Sequence, residues 1–249
     1  MRINIKFTFR GELKLPKGYN NLIQGLIYSH ISDQQKRDKL HNYGYMVGPK
    51  KIKLMTFSKL FGEYILNKDS ISFKSPVSFI FSSYDDELVS EVSYNLLSDE
   101  NIYLNGTKIK VVDLIPTFFD DNKYKNIKYY VIEMLSPVTA YSTGKDKKKI
   151  YFNPWDKGFE NAIKLNIATK LRAINITNNI DINFKITPNN MRNSIDEKII
   201  YFKDTLIKGY NGIFTIKTNA NIMKLIYYAG LGSKNSEGFG CFKILGDTS

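Results

Sequence analysis

Apolar residues in this chain switch between a spacing of two and a spacing of three to four, and the order of those switches runs through the sequence twice. Ile3, Ile5, Phe7 and Phe9 alternate with other residues, as one face of a half-buried strand does. Asn20 or Asn21 then offers a cap for a helix running to about Ile31. Residues 51–60 and 70–82 read as extended, the second with the apolar run Phe79, Ile80, Phe81. Asp85, Asp86 and Glu87 open a helix to about Leu97, with their carboxylates at the positive end of its dipole. Residues 108–118 close this half as a strand. The order is β-α-β-β-α-β, the ferredoxin-like unit.

The second half repeats the order. Residues 128–135 read as a strand, and Phe159, Ile163, Ile167, Leu171 and Ile174 recur at helical spacing. Residues 181–187 predict a short strand and 199–218 a longer one, broken around Gly209 to Gly212. Asn219 can cap a last helix through Ala229, and 238–245 ends the chain as a strand. The expected fold is α+β: two tandem ferredoxin-like (RRM-like) domains over 1–120 and 127–249, with the polar stretch 121–126 as linker. A length of 249 residues accommodates two such domains.

Composition narrows the function. One cysteine cannot form an intramolecular disulfide, nor a zinc site built from several thiolates. No run approaches the ~20 apolar residues of a membrane span, and the N-terminus does not read as a signal peptide. These features predict a cytoplasmic protein with no metal site and no cofactor. The net charge is +12, and it is segregated. Residues 1–59 carry 12 basic and 3 acidic side chains, 60–121 carry 4 and 11, and 122–249 carry 20 and 10. Two basic blocks around an acidic one suit a polyanion on one face. Of the 36 cations 31 are lysine, a point charge suited to phosphates rather than to bidentate reading of base edges.

Residues 229–242 read AGLGSKNSEGFGCF. Gly230, Gly232, Gly238 and Gly240 could let a backbone approach a phosphate, with Lys234, Asn235 and Ser236 on the same loop. A nucleotide-binding P-loop is disfavoured, because the order here is helix, glycines, strand, and no GK[ST] occurs. A helix cap and a tight turn account for one or two of the glycines but not four, so a ligand-facing loop is expected. GLGSKNSEGFG resembles the C-terminal glycine-rich motif of the CRISPR-associated RAMP proteins, and more narrowly that of the Cas6 endoribonucleases. The segments YNNLIQGLIYSHI, KLMTFSKL, LSPVT and YFNPWDKGFENAIKLNIATK follow the family's order along almost the whole chain. The resemblance implies two ferredoxin-like domains and cleavage of CRISPR repeat RNA in precursor transcripts. It implies that RNA as partner, with other effector-complex subunits or a second copy of the chain as further candidates.

Only two histidines are present. His30 falls on the apolar side of the first helix and reads as a packed core residue; Tyr28 falls roughly opposite, where it could reach a ligand. His41 sits among polar residues beyond the helix, and a solvated loop histidine is its alternative reading. Metal-independent RNA cleavage needs a base on the 2′-hydroxyl, an acid on the leaving oxygen and a cation for the phosphorane charge. The resemblance implies His41 as acid/base, Tyr28 as its helper and Lys53 as the cation, with Lys50 or Lys51 as substitutes. Candidate RNA contacts are the glycine loop, Lys50, Lys51 and the run Lys145, Lys147, Lys148, Lys149, which could equally be a solvated loop. Two rivals stand beside this reading. One is a metal-dependent nuclease built on Asp85-Asp86, Asp99-Glu100 or Asp120-Asp121, pairs that capping and solvation also explain. The other is a non-cleaving RNA-binding RAMP subunit.

Overall fold

The computed structural model describes residues 1–32, 44–48, 50–126, 128–146, 148–176, 182–189, 195–202 and 205–247. His41 and Lys147 lie outside the described residues.

The first half holds β1 (Arg2–Phe9), β2 (Glu12–Pro16), α1 (Asn20–Ser29), β3 (Tyr45–Val47), β4 (Lys50–Ile52), β5 (Met55–Phe57), β6 (Tyr64–Leu66), β7 (Ser70–Lys74), β8 (Val77–Ser83), α2 (Asp86–Ser98), β9 (Ile102–Leu104) and β10 (Thr107–Thr117). Its main sheet runs β5-β8-β1-β10-β9, with β1 antiparallel to both β8 and β10. The period-two face of β1, Ile3, Ile5 and Phe7, is buried under α1 (Ile23, Leu26, Ile27) and α2 (Leu88, Val89, Val92, Leu96). Asp85 caps α2, its carboxylate accepting from the Leu88 amide at 3.1 Å.

The second half holds α3 (Asp121–Tyr124), β11 (Tyr129–Met134), β12 (Tyr141–Thr143), β13 (Lys149–Tyr151), α4 (Lys157–Ala173), β14 (Lys185–Pro188), β15 (Asp196–Phe202), β16 (Thr205–Asn211), β17 (Ile213–Lys217), α5 (Ala220–Ala229) and β18 (Phe242–Asp247). Its sheet runs β14-β17-β11-β18, all pairs antiparallel. Tyr130, Ile132 and Met134 of β11 pack with Phe159, Ile163, Ile167 and Leu171 of α4 and with Ile222, Met223 and Ile226 of α5. Asn219 caps α5 as its sequence position suggests, accepting from the Ile222 amide at 2.9 Å. In each half the last strand, β10 or β18, pairs with the first strand of that half, β1 or β11. Two ferredoxin-like units therefore lie in tandem.

Four sequence expectations change in detail. The extended stretch 51–60 divides into the end of a β3-β4 hairpin and the sheet strand β5. The stretch 70–82 divides at Ser75-Pro76, and β7 leaves the main sheet for a smaller one, β2-β7-β6. The stretch 199–218 folds back as the hairpin β15-β16 before β17 joins the sheet. The expected linker opens with the short helix α3, capped by Asp120. Periodicity marks a strand's faces but not the sheet it pairs with, so a hairpin and a long strand read alike.

Candidate nucleic-acid interface

Between the halves lies a cleft of about 1070 Å³, walled by Lys51, Ile52 and Lys53 on one side and by the cleft face of α4 on another. Residues Ser233 to Glu237 of the glycine segment form a further wall. No helix among the described residues is long and apolar enough to cross a membrane.

The four glycines of the segment are buried, while Ser233, Lys234, Ser236 and Glu237 are half-buried. All four glycines have positive φ: +85° at Gly230, +70° at Gly232, +85° at Gly238 and +77° at Gly240. Each also lies where a Cβ has no room. At Gly232 it would stand 2.5 Å from the Thr139 carbonyl oxygen, and at Gly238 2.5 Å from the Phe57 ring. At Gly230 it would meet Asn235 at 2.6 Å, and at Gly240 it would run into the Leu231 carbonyl. Packing of the protein's own atoms therefore demands glycine at these four positions, whatever the loop binds. Asn235 fills the loop, its amide donating at 3.0 Å to the carbonyls of both Leu231 and Phe239. Ser233 to Glu237 line the cleft, Asn235 the most buried of them, with Lys234 paired to Glu237 at 2.7 Å.

What seats the loop is a set of distant segments. Asn20, read from the sequence as a helix cap, instead donates to the Glu237 carbonyl at 2.9 Å, and Gln24 donates to that of Ser236 at 2.6 Å. From β5, the Thr56 hydroxyl donates to the Phe239 carbonyl at 2.9 Å. Pro137 accepts from the Gly240 amide and Thr139 from the Ser233 amide, each at 2.9 Å. The Ser136 hydroxyl donates to Phe57 and accepts from the Cys241 amide. Lys170 of α4 donates from beneath to the carbonyls of Gly230 and Gly232. The motifs QGLIYSHI, KLMTFSKL, LSPVT and NIATK, far apart in sequence, meet here around one loop.

Tyr28 departs from its sequence reading. It is only 7% exposed rather than turned to solvent, and burial pushes its phenol well above the usual range. Lys53 Nζ stands 5.2 Å from the centre of the Tyr28 ring, so these two residues do come together at the cleft. Gly44, at φ +56°, backs onto them, since a Cβ there would lie 3.3 Å from Lys53 Cγ. His30 is buried as expected, its Nδ1 2.8 Å from the Leu26 carbonyl and its Nε2 3.4 Å from the Asp99 carboxylate. Lys51 lines the cleft, and Lys50 contributes backbone to β4.

The lysine run divides. Lys149 approaches the glycine loop, where burial first and the charge of Lys234 second lower its amine from the usual range. It also lies 5.5 Å from the centre of the Tyr141 ring. Lys145 and Lys148 are exposed, Lys148 beside Asp146 at 3.5 Å. The acidic pairs serve the fold: Asp85 and Asp120 cap helices, Asp86 meets the N-terminal amine, Asp99 approaches His30 and Asp121 pairs with Lys224 at 2.6 Å.

Sequence reasoning missed two buried cations. Lys170 reads as part of the amphipathic pattern of α4, and nothing local distinguishes it. Arg2, at the start of β1, carries no local signal either. It is buried, donates to the Phe242 carbonyl at 2.7 Å and to that of Tyr227, and stacks 3.7 Å over the Tyr227 ring, joining β1 to the second half.

A family model described as "CRISPR associated protein Cas6, C-terminal" matches residues 120–244, half of the chain. Three solved structures show the same fold. A Cas6-related protein from Pyrococcus furiosus aligns with a TM-score of 0.81 and 21% identity, covering 100% of this chain and 99% of its own. A structure described as a RAMP protein binding different RNA substrates aligns at 0.81 and 19%, covering 99% and 100%. Another, described as CRISPR associated protein Cas6, aligns at 0.77 and 21%, covering 99% of each chain. No curated protein matches the sequence. With the family's model matched over half its length and a double ferredoxin-like fold throughout, the chain belongs to the CRISPR-associated Cas6 family.

Proposed function

We propose that this chain binds CRISPR repeat RNA in precursor transcripts and cuts it once, without a metal ion, to release guide RNA units. The 2′-oxygen beside the cut attacks its own phosphorus, the bond from phosphorus to the 5′-oxygen breaks, and a 2′,3′-cyclic phosphate and a 5′-hydroxyl remain. His41 is the acid/base, moving the proton from the 2′-hydroxyl or to the leaving oxygen. Lys53 balances the charge that grows on the phosphorane oxygens, and Tyr28 holds or assists the reacting groups. A phenol raised by burial keeps its proton at neutral pH, which suits a hydrogen-bond donor rather than a base.

The observation that carries the reading is the meeting of Lys53 with Tyr28 at the edge of a lysine-walled cleft. His41 stands three residues before Gly44 in the sequence, and Gly44 abuts Lys53. Phosphates of the RNA would follow Lys51, Lys234 and Lys149, with Lys50, Lys145, Lys147 and Lys148 as further contacts. The four glycines and Asn235 shape the loop.

The test is cleavage of a labelled repeat RNA from the same genome, in EDTA, by wild type and His41→Ala. Cutting at one site by wild type, with binding but no cutting by the variant, supports both the mechanism and its catalyst. Tight binding without cutting by wild type would make the chain a non-cleaving RNA-binding subunit. Full-rate cutting by His41→Ala would remove His41 from the active site. In the same assay Lys234→Ala should weaken binding and lower the slope of log affinity against log salt by about one phosphate contact.

A further inference from the structure

Lys170 is out of place by ordinary rules. It is 1% exposed, and among the described residues no carboxylate lies within ion-pair distance of it. Burying an ammonium without a counter-ion costs several kcal/mol, on the order of what a core leucine would contribute in the opposite direction. Both of its partners are main-chain carbonyls, those of Gly230 and Gly232, the latter at 3.2 Å. Those two carbonyls bracket Leu231, at the point where the chain leaves α5 and turns into the loop.

The consequence lies in the next residues. With these carbonyls held inward, the Ser233 amide bonds to Thr139, and Lys234 takes a left-handed conformation, φ 62°. Lys234 is a non-glycine residue in a region that L side chains rarely adopt, so something must hold it there. Ser233, Lys234 and Ser236 then line the cleft.

We propose that Lys170 is a positioning residue: by holding the carbonyls of Gly230 and Gly232 it sets the direction in which Ser233, Lys234 and Ser236 face the cleft, and so the affinity for RNA. This rests on reading the cleft as the RNA site. The task needs N–H donors, which both protonation states of the amine supply. Burial lowers the amine to about 7, and a neutral amine still has two N–H groups for two carbonyls.

The test uses the full chain with Lys170→Met, which keeps an unbranched chain without donors, and Lys170→Gln, which keeps an NH₂ one atom shorter. Amide hydrogen exchange and repeat RNA affinity are measured on both and on wild type. Exchange at Leu231, Ser233 and Gly240 should speed at least tenfold in Lys170→Met while α5 keeps its protection, and the Kd for RNA should rise about tenfold. Lys170→Gln should recover part of both losses, a rescue that mere core filling would not produce. Unchanged exchange and affinity in Lys170→Met overturn the proposal. So does Lys170→Gln behaving no better than methionine. If both variants fail to fold, Lys170 serves folding as a whole, and a separate positioning role is overturned. If wild type does not bind repeat RNA, the RNA reading fails, and the exchange data still decide whether Lys170 holds the loop.

Discussion

The two halves repeat one topology, yet the connection after the second helix is used in opposite ways. In the first half α2 ends at Ser98, and the chain passes through exposed Asp99, Glu100 and Asn101 into β9. A two-residue turn, Asn105-Gly106, then leads to β10. In the second half α5 ends at Ala229, and the same slot holds a loop whose four glycines, Leu231, Asn235 and Phe239 are all buried. Positive φ occurs in both places, at Asn105 and Gly106 and at each of the four loop glycines. What differs is the surroundings. Gly106 has nothing within 4 Å of where a Cβ would sit, whereas each loop glycine meets protein atoms. Glycine in the first connection serves conformation alone; in the second it also allows two halves of the chain to close on each other.

The sharpest break of this comparison is Gly240→Ala. The side chain would strain φ and also run into the Leu231 carbonyl, whose hydrogen bond with Asn235 completes the loop. Strain of about 1–2 kcal/mol plus displacement of packed backbone predicts a loss of about 3 kcal/mol or more, read from urea unfolding. RNA binding should fall with it. Asn235→Ala leaves the Leu231 and Phe239 carbonyls without that donor and should cost about 2 kcal/mol.

Two buried titratable groups, one from each half, give pH signatures of opposite sign. Tyr19, in the first core, is pushed up by burial to about 12 from an ordinary value of 10. Below pH 10 both states hold the proton and its stabilisation is complete. As pH rises from 10 toward 12 the unfolded chain releases the proton first, and stability falls. Lys170, seated under the loop, is lowered by burial from 10.5 to about 7. Between pH 7 and 10.5 the unfolded chain holds the extra proton, so stability rises through that window. Each slope is bounded by one proton, about 1.4 kcal/mol per pH unit. Unfolding curves taken from pH 7 to 12 should therefore rise and then fall. Lys170→Met should remove part of the rise alone, and Tyr19→Phe part of the fall alone.

How much of this was legible depends on the range of the interaction concerned. The core faces of β1, α4 and α5 follow from local spacing, and Asp85 and Asn219 cap the helices their positions suggest. Strand partners did not follow, because β7 and β15 carry the same alternation whichever sheet they join. The loop's role was half visible: four glycines in eleven positions mark a constrained backbone, but not whether ligand or protein imposes the constraint. Lys170 and Arg2 were invisible, since their carbonyl partners lie 60 and 240 residues away. Tyr28 falls roughly opposite the apolar side of α1, yet it is buried with the first core and has Lys53 5.2 Å from its ring, neighbours that helix geometry alone does not include.

The gentlest test returns to the first connection. Leu104 and Thr107 pair across the Asn105-Gly106 turn, and its two positive φ values, 48° and 82°, are those of a type I′ hairpin. Alanine at Gly106 meets no atom, so only the conformational penalty applies, about 1 kcal/mol. Gly106→Ala should lower the urea midpoint slightly and leave repeat RNA affinity unchanged. If it instead matches Gly240→Ala, then positive φ rather than packing sets the cost of both. The contrast between an exposed turn and an interior joint would then lose its energetic basis.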